Sequence, residues 1–146
     1  MKNGRHVDKD GNVFFFLNNK YHREDGPAVE YSDGDKHWYQ HGNRHRENGP
    51  AVESANGTKE CWFNGQRHRE DGPAVEALDK SKHWYQHGKR HREDGPAFEW
   101  FHAKKYFLND QELTEEEFNQ WLMKKKLNEK LHATFEPKSK EKKKKI

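Results

Sequence analysis

The stretch HREDGPAVE recurs four times with few changes, beginning at His22, His45, His68 and His91, so the chain repeats itself every 23 residues. A fixed period of this size marks a stack of small units, none of which can bury its apolar face without a neighbour. The phase extends beyond the repeated nonamer. Tyr39, Trp62 and Tyr85 lie in register, with Phe16 before them and Leu108 after. The column beside it reads Phe15, Trp38, Cys61, Trp84 and Phe107, and Val29, Val52, Val75 and Phe98 make a third. The array is expected to fill residues 1–112, with degenerate first and last units of the kind that end a repeat stack.

Within one unit the sequence reads as two strands. PAVEY (27–31) precedes the turn residues Ser32, Asp33, Gly34 and Asp35, and KHWYQ (36–40) is rich in aromatics that favour strands. A second turn at His41-Gly42-Asn43-Arg44 leads to His45 and the next corner, where Pro50 opens the following strand. Gly72 in the Asp71-Gly72-Pro73 corner is expected to need a positive φ. The predicted fold is mainly β: an elongated single-layer antiparallel sheet of 23-residue β-hairpin repeats followed by a C-terminal capping helix.

Composition fits such a sheet better than a two-layer globule. Only 29% of residues are apolar and 36% are charged, a balance that reads as disorder unless a repeat lets a thin line of aromatics, 13% of the chain, pack neighbour on neighbour. One cysteine, Cys61, excludes an intramolecular disulfide framework and fits a reducing compartment. No apolar run approaches the length of a membrane span, and the run Val13 to Leu17 is too short for a secretory signal. A cytoplasmic location is expected.

The pattern resembles the MORN repeat. Trp62-Phe63-Asn64-Gly65-Gln66-Arg67-His68, the Gly88-Lys89-Arg90-His91 that follows Tyr85, and the turns Asp33-Gly34 and Asn56-Gly57 match its aromatic, its N-G-x-x-H and its D-G turn in phase. Where that family continues with Gly-x-Gly after the histidine, this chain has Arg23, Arg46, Arg69 and Arg92. It is therefore similar to the divergent MORN-variant class of bacterial, phage and large-virus proteins. That resemblance implies an interaction module, in the host cytoplasm if the source is viral, and the membrane attachment often proposed for MORN proteins.

Past the array, Thr114 is the predicted N-cap of a helix, with Glu117 completing a capping box and Leu113 stapling Phe118. This helix, over 113–135, is expected to cover the open sheet edge. Regular structure is expected to end at Pro137, leaving a disordered lysine-rich tail over 136–146. Residues 123–146 hold 10 Lys against 3 Glu, a net +7, so with +3 overall the remainder carries −4. Lys142, Lys143, Lys144 and Lys145 are the candidate contact for an anionic ligand.

The His-Arg-Glu-Asp corners contain the side chains of catalysis and metal binding. Their histidines recur about 10 Å apart along the stack, however, too far to converge on one ion. Bracing of each corner by His and Arg hydrogen bonds to carbonyls and acids is the expectation, with no catalytic residues, no metal site and no cofactor; His41 with His45, or His87 with His91, could catch adventitious metal. The better candidates for binding are the aromatics. Trp38 and Tyr39 must face opposite sides of a strand, and the column Phe15, Trp38, Cys61, Trp84 and Phe107 is taken as the partner-binding row, with Cys61 leaving a gap that reads as a pocket. The expected function is a non-enzymatic module that binds a protein partner, the alternative being recognition of a nucleotide, nucleic acid or anionic lipid by the aromatic columns and basic tail.

Overall fold

The computed structural model describes the backbone of residues 1–144 and the side chains of residues 1–133. The chain divides into two compact units, residues 1–112 and 113–146. The first is built on a 12-stranded antiparallel sheet that does not close on itself. Each central unit adds two short strands, as in Val29–Glu30 and Lys36–His37, then Val52–Glu53 and Lys59–Glu60. Strands this short are held by neighbours on both sides rather than by their own length.

The segment predicted as one strand over 36–40 is two. Lys36–His37 belongs to the large sheet, whereas Tyr39–Gln40 pairs with Asn43–Arg44 in a separate two-stranded ribbon. Trp38 is the pivot: its N–H donates to the Ala51 carbonyl of the next unit at 2.7 Å and its carbonyl accepts the His45 N–H at 3.1 Å. Cys61 and Trp84 hold the same position against Ala74 and His68, and against Ala97 and His91. Ribbon tips put both turn residues in the left-handed region, as in His41 (φ 49°) and Gly42 (φ 82°), the geometry that matches strand twist in a two-residue hairpin.

Register sorts the side chains into two faces. On one lies an alternating charge ladder in which Glu30 opposes Lys36, Lys36 opposes Glu53, and the order continues through Lys59, Glu76, Lys82, Glu99 and Lys104. Opposite charges directly across a strand pair are mildly stabilising. On the other lie Phe14, Val29, His37, Val52, Glu60, Val75, His83 and Phe98. Val29 and Val52 there are 1% and 3% exposed, so this face is the packed one. Its outer row alternates rings with guanidinium groups: Arg44 stands between Tyr39 and Trp62 at 5.7 and 5.2 Å, and Arg67 between Trp62 and Tyr85 at 5.1 and 5.5 Å. Cation–π stacking thus supplies part of the cohesion that a thin sheet cannot draw from a core.

The last unit is one residue short. Five residues separate Glu30 from Lys36, Glu53 from Lys59 and Glu76 from Lys82, but four separate Glu99 from Lys104. Everything after this turn slips by one position. Tyr106 therefore takes the place of Trp84, and Phe107, whose carbonyl accepts the Arg92 N–H as the Tyr85 carbonyl accepts that of Arg69, joins the Tyr39, Trp62 and Tyr85 column.

The second unit is the helix Glu115–Lys144. Thr114 Oγ1 accepts the Glu117 N–H at 3.1 Å and Glu117 Oε1 accepts the Thr114 N–H at 2.8 Å, the expected capping box. Pro137 lies inside this helix, where regular structure was expected to end. The side chains of the expected tail, 136–146, are outside the described residues. No helix among the described residues is long and apolar enough to cross a membrane.

Candidate functional site

Each corner is a fixed hydrogen-bonded device. Nη1 of Arg23, Arg46, Arg69 and Arg92 donates to the carbonyls of Pro27, Pro50, Pro73 and Pro96 at 3.0–3.2 Å. Nε of Arg23, Arg69 and Arg92 donates to Asp25, Asp71 and Asp94 at 2.8–3.0 Å, while Arg46, whose corner has Asn48 in place of the acid, reaches Glu53 at 3.0 Å. Hydrogen bonds from Arg23 and Arg69 hold the Asp25 and Asp71 carboxyls below the usual carboxylate range.

The corner glycines serve these arginines. Gly26, Gly72 and Gly95 are not in the positive-φ region, contrary to expectation for Gly72; only Gly49 is, at 151°. A Cβ at Gly26, Gly72 or Gly95 would instead stand 2.9 Å from the guanidinium carbon of Arg23, Arg69 or Arg92. Close approach, not backbone conformation, is what these positions require.

The corner histidines accept amides where bonds to carbonyls were expected. Nδ1 of His22, His45, His68 and His91 accepts the backbone N–H of His41, Asn64, His87 and Asn109 at 2.9–3.0 Å, tying each corner to the next ribbon tip. An Nδ1 that accepts carries no proton, so Nε2 is the donor, and it faces Glu24, Glu47, Glu70 or Glu93 at 2.9, 3.7, 2.9 and 2.9 Å. The pairs His41–His45 and His87–His91 do not form. His41 lies instead against His22, and His87 against His68, both with ring centroids 4.4 Å apart. Among the described residues no group of three or more His, Cys, Asp or Glu is placed to hold a metal ion.

The candidate binding row divides. Phe15, Trp38 and Trp84 lie on the charged face, half-buried beneath Arg23, Arg46 and Arg92 at 4.0, 3.9 and 4.0 Å from the ring centroids. Phe107 leaves the row for the reason given above and is buried, with Arg90 at 5.3 Å. The side chains of Lys142, Lys143, Lys144 and Lys145 are outside the described residues. Sequence reasoning found the aromatic period but not the guanidinium lids; the signal was present in the constant eight-residue offset from Trp38 to Arg46 and from Trp84 to Arg92.

At Cys61 the row is broken. Arg69 keeps the corner bonds of its equivalents but has a thiol where they have a ring, and its side chain is 37% exposed against 25, 30 and 22% for Arg23, Arg46 and Arg92. A cavity of about 870 Å³ opens there, lined by Arg46, Pro50, Cys61, Phe63, His68 and Arg69 with the acids Glu47, Glu70 and Asp71. Phe63, 42% exposed, occupies the position held by Gln40 and Gln86 in the flanking units. Burial pushes the Cys61 thiol up from its ordinary value, which Arg69 only partly offsets, so the sulfur is protonated at neutral pH. The cavity thus offers shape and a cation, not a nucleophile. No protein-family model matches this chain, and no curated protein shows significant similarity to it.

Proposed function

We propose that the chain is a non-enzymatic binding module of the divergent MORN-variant type, presenting the charged face of its sheet to a protein partner in a reducing compartment such as the cytoplasm. A viral or phage source would make that partner a host protein. The observation that carries the reading is the layout of this face: half-buried rings under guanidinium lids run along it, flanked by rows of lysine and glutamate. An aromatic and arginine centre with a charged rim is the anatomy of protein interfaces, where Trp, Tyr and Arg carry most of the energy.

The groups best suited to catalysis are otherwise engaged. Each corner histidine is tied to a ribbon tip through Nδ1 and faces a glutamate through Nε2, and the one thiol is held protonated. Affinity capture from a cell extract, with the bound proteins quantified, tests the reading. Trp38→Ala and Trp84→Ala should each weaken capture by about 30-fold while circular dichroism stays unchanged. Deletion of residues 137–146 should leave capture intact. If both tryptophan variants capture normally, or the deletion alone abolishes capture, the sheet is not the recognition surface and the lysines become the candidate.

A further inference from the structure

The repeat itself states what the cavity at Cys61 lacks. In three of the four corners a guanidinium held by the same proline carbonyl stacks on an aromatic ring at 3.9–4.0 Å. At the remaining corner Arg69 is held by Asp71 and Pro73 in the same way, yet a cysteine replaces the ring and a cavity stands open. We propose that this cavity is a docking slot for an aromatic side chain of a protein partner, which completes the interrupted row by stacking on Arg69 as Trp38 and Trp84 stack on Arg46 and Arg92.

Three observations select this occupant. First, the slot is an interruption in a periodic structure, so its neighbours define its shape: a flat ring lying under a guanidinium. Second, the interrupted unit has Phe63 exposed at the cavity wall, where both flanking units have glutamine, which adds an apolar surface beside the opening. Third, the charge of the lining disfavours a nucleotide. Two arginines face three carboxylates, Glu47, Glu70 and Asp71. Nε and Nη1 of Arg69 and Nη1 of Arg46 are already bonded to Asp71, Pro73, Pro50 and Glu53, so a phosphate would meet an acidic rim and cations already partly neutralised. The guanidinium of Arg69 is fixed by these bonds and, unlike those of Arg23, Arg46 and Arg92, has no aromatic ring stacked on its face, and a guanidinium face recognises a ring. The volume, about 870 Å³, lies within the range of built ligand sites and admits the ring with its neighbouring backbone. The acidic rim further favours a segment with lysine or arginine beside the aromatic residue.

The proposal rests on the binding-module reading but is tested without the partner, so its failure leaves that reading standing. The probe is N-acetyltryptophanamide, titrated into the full 15N-labelled chain, with N-acetylleucinamide and adenosine monophosphate as controls. Saturable amide shifts confined to the surroundings of Cys61, Phe63 and Arg69, with a midpoint in about the millimolar range, are expected for the indole probe alone. Cys61→Ala should preserve them, because the sulfur is not the ligand. Cys61→Trp, which restores the residue of the flanking units, should weaken them at least tenfold and raise the melting temperature by filling the gap. Should Cys61→Trp not fold, Phe63→Gln serves in its place, with the same expected weakening. The slot is overturned if the indole shifts persist in the filled variant, if they spread equally to Trp38 and Trp84, or if adenosine monophosphate binds the same amides as well. It is also overturned if the same amides shift with protein concentration alone, since the occupant would then be a second copy of this chain, for example through Phe101, which is 81% exposed.

Discussion

Lys80 stands where earlier units have Gly34 and Gly57, and it adopts the same left-handed conformation, with φ 73° against 105° and 97°. A residue with a Cβ is disfavoured there by about 1 kcal/mol, so Lys80→Gly should stabilise the fold by about 0.5–1 kcal/mol in urea unfolding; a loss of stability would mean the lysine side chain makes a contact worth more than the strain. The corner glycines obey a different rule. Arg92 is pinned by Trp84, Asp94, Pro96 and Glu99, so the Cβ of Gly95→Ala meets a guanidinium that cannot yield, whereas Arg69 has no ring beneath it and can shift. Gly95→Ala should cost about 1–3 kcal/mol and Gly72→Ala clearly less, a difference read from their unfolding midpoints. Equal costs would show that the ring does not fix the arginine.

Among the strands of the central units none is long enough to persist alone, and each is held by the strand before it, the strand after it and the ribbon that leaves it. Trp38, Cys61 and Trp84 hold these together because one residue there bonds the next unit's alanine through its N–H and its own unit's histidine through its carbonyl. Ala28, Ala51, Ala74 and Ala97 are at most 1% exposed, and a larger side chain has no room at these crossings. The helix depends on its own start. Thr114→Ala removes the side-chain half of the capping box and should cost about 1 kcal/mol, seen as lower helical circular dichroism on heating. An unaltered melt would show that the first turn is held by something other than its cap.

On the acid side of neutrality, stability depends on pH through two sets of groups that act in separate windows. Burial first, then the positive charges of Arg44 and Arg90, hold His37 and His83 below their ordinary value of 6.5. The folded chain then takes up these protons less readily than the unfolded one, so their contribution is full above about 6.5 and is lost as the pH falls from there through the native-state values. Asp8, Asp25, Asp71 and Asp79, held below 3.8 by hydrogen bonds, weaken the fold only in a lower window. Urea midpoints should therefore fall between about pH 7.5 and pH 5.5, and fall less in the double variant His37→Gln/His83→Gln. An equal fall in that variant would assign the dependence to other groups.

Local spacing is enough to read the 23-residue period, the antiparallel sheet of hairpins, the division of the aromatic columns between opposite faces and the capping box at Thr114. Side chains alternate along a strand, Glu117 follows the cap by three positions, and the three central ribbon tips carry Gly42, Gly65 and Gly88, so these features are written in neighbouring residues. Relations between units are not written there. A turn shorter by one residue moves Phe107 to the other column, and nothing in the local sequence around Phe107 marks the slip. The corner glycine is read locally as a backbone requirement, but at Gly26, Gly72 and Gly95 it is set by an arginine three residues earlier folding back over it. Likewise Cys61 is only a substitution in a column until the guanidinium of Arg69 is placed beside it, and the cavity that both line exists only once neighbouring units are stacked.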